Sequence, residues 1–330
     1  MYIRTIVEDT LDENFPFLKN EHGLSLYIKY NDKNILFDAG PSDVLVSNSE
    51  KLNINLKDVD YLILSHGHFD HGGGIIPFLH VNNKAKIFIQ RNSFKNYYFK
   101  NGQDIEYIGL DSEILEKYSD RIVFTGETVY NITNDIILVP NIIIEKKITY
   151  NNEAMLINEK SNVFRQDYFE HEQAMIIKSS NKFYLFSGCS HKGIINIGNS
   201  IKKIFNITHI DYVIGGLHLV DDPISKTHIK TSELDEVAKY LKYNITQTYS
   251  CHCTGDPAYA YLKNTLHDRI KYLRTGSEIN IWTTKTREKK SRGSSLLIIQ
   301  QCIPVQPHFR VLLPNIQHYT LREGVWFSLL

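Results

Sequence analysis

Apolar and polar positions alternate at strand period in short blocks along the chain, and longer stretches between them carry a helical period. Residues 2–7 alternate as a strand. Residues 24–30 and 34–38 read as a hairpin about Asn31-Asp32-Lys33. A helix is expected over 42–52, with Pro41 at a permitted early position. The apolar run 60–64 is a buried strand, 73–81 a helix and 86–90 a further strand. Residues 91–165 show the weakest pattern. They are loop-heavy and rich in aromatics (Phe94, Tyr97, Tyr98, Phe99, Tyr107), which either pack a small subdomain or line a pocket. The pattern then sharpens into a hairpin of 174–178 and 182–187, a helix over 194–205, a strand over 211–214, a helix over 231–242 and a strand over 245–249. Strand–loop–helix repetition predicts an α/β fold whose strand-end loops gather at one edge of a sheet.

The chemistry sits on those loops. After strand 60–64 comes Ser65-His66-Gly67-His68-Phe69-Asp70-His71-Gly72-Gly73-Gly74. Four metal-capable side chains within six residues, followed by glycines that let the backbone turn sharply, point to a metal site. In an extended loop His66 and His68 share a side, while Asp70 and His71 lie around the bend and can serve a second ion. Three later strands end in histidine-bearing loops: Gly188-Cys189-Ser190-His191, Gly216-Leu217-His218 and Cys251-His252-Cys253. His66 and His68 with one later histidine fit one ion, and Asp70, His71 and His252 fit the other. Imidazole and carboxylate donors suit two divalent ions, zinc first, with iron or manganese as alternatives. Cys251 and Cys253 read as packing residues.

Composition bounds the rest. The chain has 330 residues, 42% apolar, enough for one large domain. Lys+Arg and Asp+Glu both total 37, which argues against a nucleic-acid partner bound by bulk positive charge. No apolar run is long enough for a membrane span, the N-terminus lacks the apolar core of a signal peptide, and four cysteines make no disulfide framework. A cytoplasmic protein is expected, and its oligomeric state is not legible. Beyond Lys290 lysine vanishes and Asn315 is the only asparagine. Residues 1–286 are therefore read as the domain, and 287–330 as a linker and C-terminal appendage that is either a non-native extension or one packed on the domain.

The His-x-His-x-Asp-His loop, with Phe37-Asp38-Ala39-Gly40 before it, resembles the metallo-β-lactamase superfamily. Glu21-His22-Gly23, Glu172-Gln173-Ala174, Gly188-Cys189-Ser190-His191, Gly215-Gly216-Leu217-His218 and His252-Cys253-Thr254-Gly255 narrow the likeness further. Together they are similar to the branch of metal-dependent hydrolases that includes dihydropterin-6-yl-methyl-ribofuranosylaminobenzene 5′-phosphate synthase-like proteins. The resemblance implies an αββα sandwich in which 91–165 is the insertion shaping the substrate pocket. It makes Asp38 a residue that orients the histidine loop, and Cys189 either a ligand in the bridging position or a small buried thiol. The third histidine of the first ion is His171 or His191, with His191 preferred because it sits in a glycine-flanked strand-end loop; at His171 the chain departs from the family, which carries Asp before Glu172. His22 is a substrate contact. His218 either faces the substrate, as a proton donor or phosphate contact, or is a further metal ligand. The implied activity is hydrolysis of a phosphorylated or pterin-like small molecule, with Asp70 and His218 as catalytic residues. The alternatives are condensation with diphosphate release, as the synthase name implies, a nuclease-like activity on phosphodiesters, and a non-catalytic metal sensor.

Overall fold

A computed structural model describes residues 1–146, 152–160, 163–219 and 229–281 of the chain. The proposed appendage, 287–330, lies outside the described residues.

Two seven-stranded sheets carry the fold. The first runs in the order Glu278–Asn280, Tyr2–Val7, Ser25–Tyr30, Lys33–Phe37, Tyr61–Ile63, Lys86–Gln90 and Ile122–Thr125. It is antiparallel up to Lys33–Phe37 and parallel from there on. The second runs Ile270–Tyr272, Ile245–Cys251, Ile210–Gly216, Lys182–Ser187, Ala174–Ser179, Ile136–Val139 and Tyr130–Asn131. Its first four strands are parallel, and the rest pair antiparallel.

Side-chain alternation splits each sheet into two apolar faces. Leu26, Ile28 and Phe37 of the first sheet meet Met175, Tyr184, Phe186 and Ile214 of the second in one buried cluster, so the sheets pack face to face. Leu36, Leu62 and Ile87 turn the other way, onto Leu45 of helix Val44–Lys51 and Phe78 of helix Ile75–Val81. Ile176, Leu185 and Val213 likewise meet helices Ile194–Phe205, Thr231–Asn244 and Asp256–Leu266. The layers are therefore αββα, as the resemblance implied. Each fully buried Leu, Ile or Phe contributes about 1.5–3 kcal/mol.

Helix Ile194–Phe205 shows how the sequence sets such an element. Ile194, Ile197 and Ile201 lie on one face at spacings of three and four, and all are buried. Lys202 and Lys203 occupy the last turn, where a positive charge suits the helix dipole. Asn206 then stops it at φ 51°, its N–H returning to Lys202 and Lys203 carbonyls.

The insertion differs from its expectation. Asn96–Asn101, Asp104–Tyr107, Met155–Lys160 and Val163–Gln166 form a separate four-stranded antiparallel sheet. Asp104–Tyr107 is exposed along its whole length, and Val163–Gln166 nearly so. Tyr97 and Ile157 are buried, but most other positions on these strands are exposed or half-buried, so no apolar alternation announced them.

Candidate metal centre

The parallel strands of both sheets end at one edge, and the loops leaving them bring the predicted side chains together. His66, His68, Asp70 and His71 follow strand Tyr61–Ile63. Cys189 and His191 follow Lys182–Ser187, His218 follows Ile210–Gly216, and His252 follows Ile245–Cys251. All of these are buried. The glycines after the first motif have a steric reason, since a Cβ on Gly73 or Gly74 would run into the Pro41 or Ala39 carbonyl. That close approach lets Ala39 N–H donate to His71 O at 2.7 Å and Gly74 N–H to Gly40 O at 2.9 Å. Asp38, His218 and His252 hold φ of 60°, 46° and 49°, left-handed values that cost a non-glycine residue about 1–3 kcal/mol each. Strain of that kind collects where side chains must be aimed.

The hydrogen bonds decide which nitrogen of each ring faces inward. Asp38 accepts from Ser65 N–H at 2.7 Å and from Ser65 Oγ at 2.8 Å. The single Ser65 hydroxyl proton is thus committed to Asp38, and Ser65 Oγ accepts from His66 Nδ1 at 2.8 Å. Asp38 also accepts from His71 Nδ1 at 2.7 Å. Asp9 accepts from His252 Nδ1 at 2.7 Å. Asn152 Nδ2 donates to His191 O, which turns its Oδ1 toward His191 Nδ1 at 3.3 Å. In every case Nδ1 is occupied and Nε2 is left facing the centre.

There the free nitrogens crowd together. His66 Nε2 and His191 Nε2 are 3.2 Å apart, as are His71 Nε2 and His252 Nε2. Two nitrogens on one tetrahedral zinc lie about 3.3 Å apart, given Zn–N bonds near 2.0–2.1 Å. His68 Nε2 is buried without a hydrogen-bond partner. Asp70 Oδ2 lies 3.4 Å from His71 Nε2 and 3.2 Å from His252 Nε2, and Cys189 Sγ is 3.1 Å from His71 Nε2. The donor atoms of Asp70, His71, Cys189 and His252 all fall within 4.8 Å of one another. So do those of His66, Cys189 and His191, and those of His66, His68 and Asp70. Asp70 and Cys189 sit between two groups of imidazoles, and the donor set fits a pair of cations.

The electrostatics agree with that fit. Burial, reinforced by neighbouring imidazoles, pushes His66 and His191 well below the ordinary histidine value and His68 down to about 3, so these rings are neutral. Burial also disfavours charge on His71, but the Asp70 and Asp38 carboxylates outweigh it and lift that ring to about 9. Asp70 is held well below the usual carboxylate range: burial opposes this, and His71 and His252 outweigh it. One end of the site thus offers bare nitrogen lone pairs, and the other attracts positive charge.

His171 is turned elsewhere. Its Nδ1 accepts from Gly67 N–H at 2.7 Å, its Nε2 donates to Asp167 at 2.9 Å, and its ring lies 4.0 Å from that of Tyr97. Neither nitrogen is left for a metal. His22 lies at the rim with its side chain 67% exposed, Nδ1 on Asp9 at 3.1 Å and Nε2 3.8 Å from Asp70. A cavity of 540 Å³ opens beside the helix that carries Asp70, lined by Phe69 and Ile76 and by Tyr107, Leu110 and Ser112 of the insertion.

Several contributing residues escaped the sequence reading. Asp9 binds both His252 and His22, and Glu8 beside it accepts from His252 N–H at 2.6 Å. Phe169 stacks on His191 at 4.3 Å with the planes 2° apart. The available signal for Asp9 was an acid just past the end of strand 2–7, the position that yields histidines elsewhere. Cys251 and Cys253, both expected to pack, lie in different surroundings. Cys251 belongs to the apolar core between the sheets, whereas the Cys253 sulfur lies with Cys189 and His218.

Residues 19–92 match the model of the metallo-beta-lactamase superfamily. Two relatives from Methanocaldococcus jannaschii align over most of their length. One is named 7,8-dihydropterin-6-methyl-4-(beta-D-ribofuranosyl)-aminobenzene-5'-phosphate synthase and is 29% identical over 288 residues, covering 84% of this chain and 95% of that protein. The other, an uncharacterized protein, is 31% identical over 258 residues, covering 77% and 90%. Among solved structures, Tm1679, a metal-dependent hydrolase of the beta-lactamase superfamily, superposes with a TM-score of 0.69 at 26% identity. That match covers 85% of this chain and 99% of that one.

Proposed function

The chain belongs to the metallo-β-lactamase superfamily, and from that premise we propose that it is a dinuclear metal-dependent hydrolase of a phosphorylated or pterin-like small molecule. The observation that carries this reading is the pair of Nε2···Nε2 approaches at 3.2 Å, with Nδ1 occupied on all four rings. The His66 and His191 lone pairs so placed repel unless a cation lies between them, and the His71–His252 pair sits where the Asp70 and Asp38 carboxylates draw positive charge. His66, His68 and His191 would hold one ion, Asp70, His71 and His252 the other, with Cys189 between. Zinc suits nitrogen with a shared thiolate best, and iron or manganese are the alternatives. Such a pair of ions supplies polarisation of a phosphoryl or carbonyl oxygen and a lowered pKa for water in the site.

The chain's own residues do the rest. Asp38, through Ser65 and directly, fixes the rings of His66 and His71; Asp9 and Asn152 fix those of His252 and His191. Asp70, which touches both groups, is the residue on which turnover depends most. His22, exposed at the rim beside Asp70, meets an anionic group of the substrate. The insertion 91–165 would shape the substrate pocket, and the cavity that its Tyr107, Leu110 and Ser112 line adjoins the helix carrying Asp70. We place the protein in the cytoplasm, where Cys189, Cys251 and Cys253 would stay reduced. Among the described residues no helix is long and apolar enough to cross a membrane.

The synthase relative favours a second reading, condensation of a pterin methyl diphosphate with a ribofuranosyl-aminobenzene phosphate and release of diphosphate. A screen of the zinc-loaded chain against phosphomonoesters, phosphodiesters, lactones and pterin diphosphates separates the two. Phosphoester or pterin diphosphate hydrolysis is the expected result. Diphosphate release that requires the arylamine would establish condensation instead, and turnover of lactones alone would overturn both.

A further inference from the structure

Cys189, His218 and Cys253 stand apart from the paired site although they adjoin it. Their sulfur and nitrogen donor atoms lie within 4.8 Å of one another, and all three residues are 5% exposed or less. Both ring nitrogens of His218 are buried without a hydrogen-bond partner. His66, His71, His191 and His252 each have a serine, carboxylate or amide on Nδ1; this ring has none. An imidazole buried that way costs about 1–3 kcal/mol unless something accepts its lone pair.

The backbone is built to bring these groups together. Leu217 N–H donates to Thr254 Oγ1 at 3.0 Å and Leu219 N–H to Cys253 O at 2.9 Å, which clamps the loop around His218 onto the Cys253 turn. His218 takes φ 46° between those two clamps. The strand between Cys189 and Cys253 ends in Gly216, where a Cβ would come within 2.7 Å of Cys253 Sγ and 2.9 Å of Gly188 O. A larger residue there would force the Cys253 sulfur away. With glycine, that sulfur reaches to 3.5 Å from Cys189 O.

We propose that Cys189, His218 and Cys253 form a third cation position, rich in thiolate, which shares the Cys189 sulfur with the paired site. Donors on one tetrahedral zinc lie about 3.5–3.8 Å apart, given Zn–S near 2.3 Å and Zn–N near 2.0–2.1 Å, so the cluster needs only slight contraction. Two sulfurs and one imidazole select a borderline or soft ion, Zn(II) ahead of Mg(II) or Mn(II). The ion takes both sulfurs as thiolates, any thiol proton they still carry passing to solvent, and an imidazole lone pair from His218. This assigns His218 to a cation rather than to the substrate's leaving group. The inference rests on the paired-site reading through Cys189 alone.

Metal analysis of the full-length chain, saturated with Zn(II) and desalted, tests it. About three zinc ions per chain are expected for the wild type, and about two for His218→Ala and for Cys253→Ala. Titration of the wild type with Co(II) gives an independent reading that needs no variant. A third equivalent should add sulfur-to-cobalt charge-transfer absorption in the near ultraviolet, which Cys253→Ser should lose. Two zinc ions in the wild type and in both variants would overturn the third position and leave the paired site standing. Fewer than two in the wild type would overturn both. Three ions retained in both variants would also overturn it. Should either variant fail to show a cooperative melt, absence of a third sulfur-dependent Co(II) step in the wild type would overturn it.

Discussion

Two carboxylates brace the imidazoles of the site from opposite surroundings. Asp38 is wholly buried and serves the contiguous histidine motif, with Ser65 and His71 as its partners 27 and 33 residues along the chain. Asp9 has its side chain 27% exposed and serves His252, which lies 243 residues away. The first brace is part of the core, and losing it leaves buried donors with no water to replace the carboxylate. The second stands where water and His22 share it. The same chemistry, a carboxylate on Nδ1 that aims Nε2 inward, is therefore structural at Asp38 and mainly an orienting device at Asp9.

That difference orders the expected effects. Asp70→Ala touches both groups of imidazoles and should abolish turnover and remove about one ion per chain, with little change in circular dichroism; elemental analysis and a rate assay check it. Asp38→Ala should destabilise the fold by about 3–5 kcal/mol, because Ser65 and His71 keep buried donors with no acceptor. Denaturant unfolding measures this, and a loss below 1 kcal/mol would dissolve the contrast between the braces. Removing metal with a chelator should lower the melting temperature, since an ion present at about a thousand times its Kd stabilises by about 4.1 kcal/mol. Asp9→Asn should weaken metal affinity by about 10–100-fold and barely move the unfolding midpoint. A change in stability as large as that of Asp38→Ala would show that the two braces are alike. His22→Ala should leave stability and metal content unchanged and raise KM, the smallest of these effects.

Legibility in the sequence follows the same divide. The motif from His66 to Gly74 is local, so its spacing alone announces it; the inner strands of both large sheets are buried on both faces and read as short apolar runs, and the helices declare their period. His191, His218 and His252 were legible because each follows a recognisable strand. Asp9 was not, because one acid past a strand end looks like any surface residue until the chain closes on it from 243 positions away. Asn152 and Phe169, which position His191, lie in or beside the insertion, where exposed strands such as Asp104–Tyr107 leave no alternation to read. The grouping of Cys253 with Cys189 and His218 was not legible because the three come from different strand ends.

The central claim is that two cations occupy the edge where those strands end. Anomalous diffraction from crystals of the zinc-loaded chain tests it most directly. One peak is expected among His66, His68 and His191 and another among Asp70, His71 and His252, about 3.5–4 Å apart, besides any at Cys189, His218 and Cys253. A single peak outside both groups, at Asp9, His22 and His252 for instance, or no peak at all after zinc loading, would contradict it.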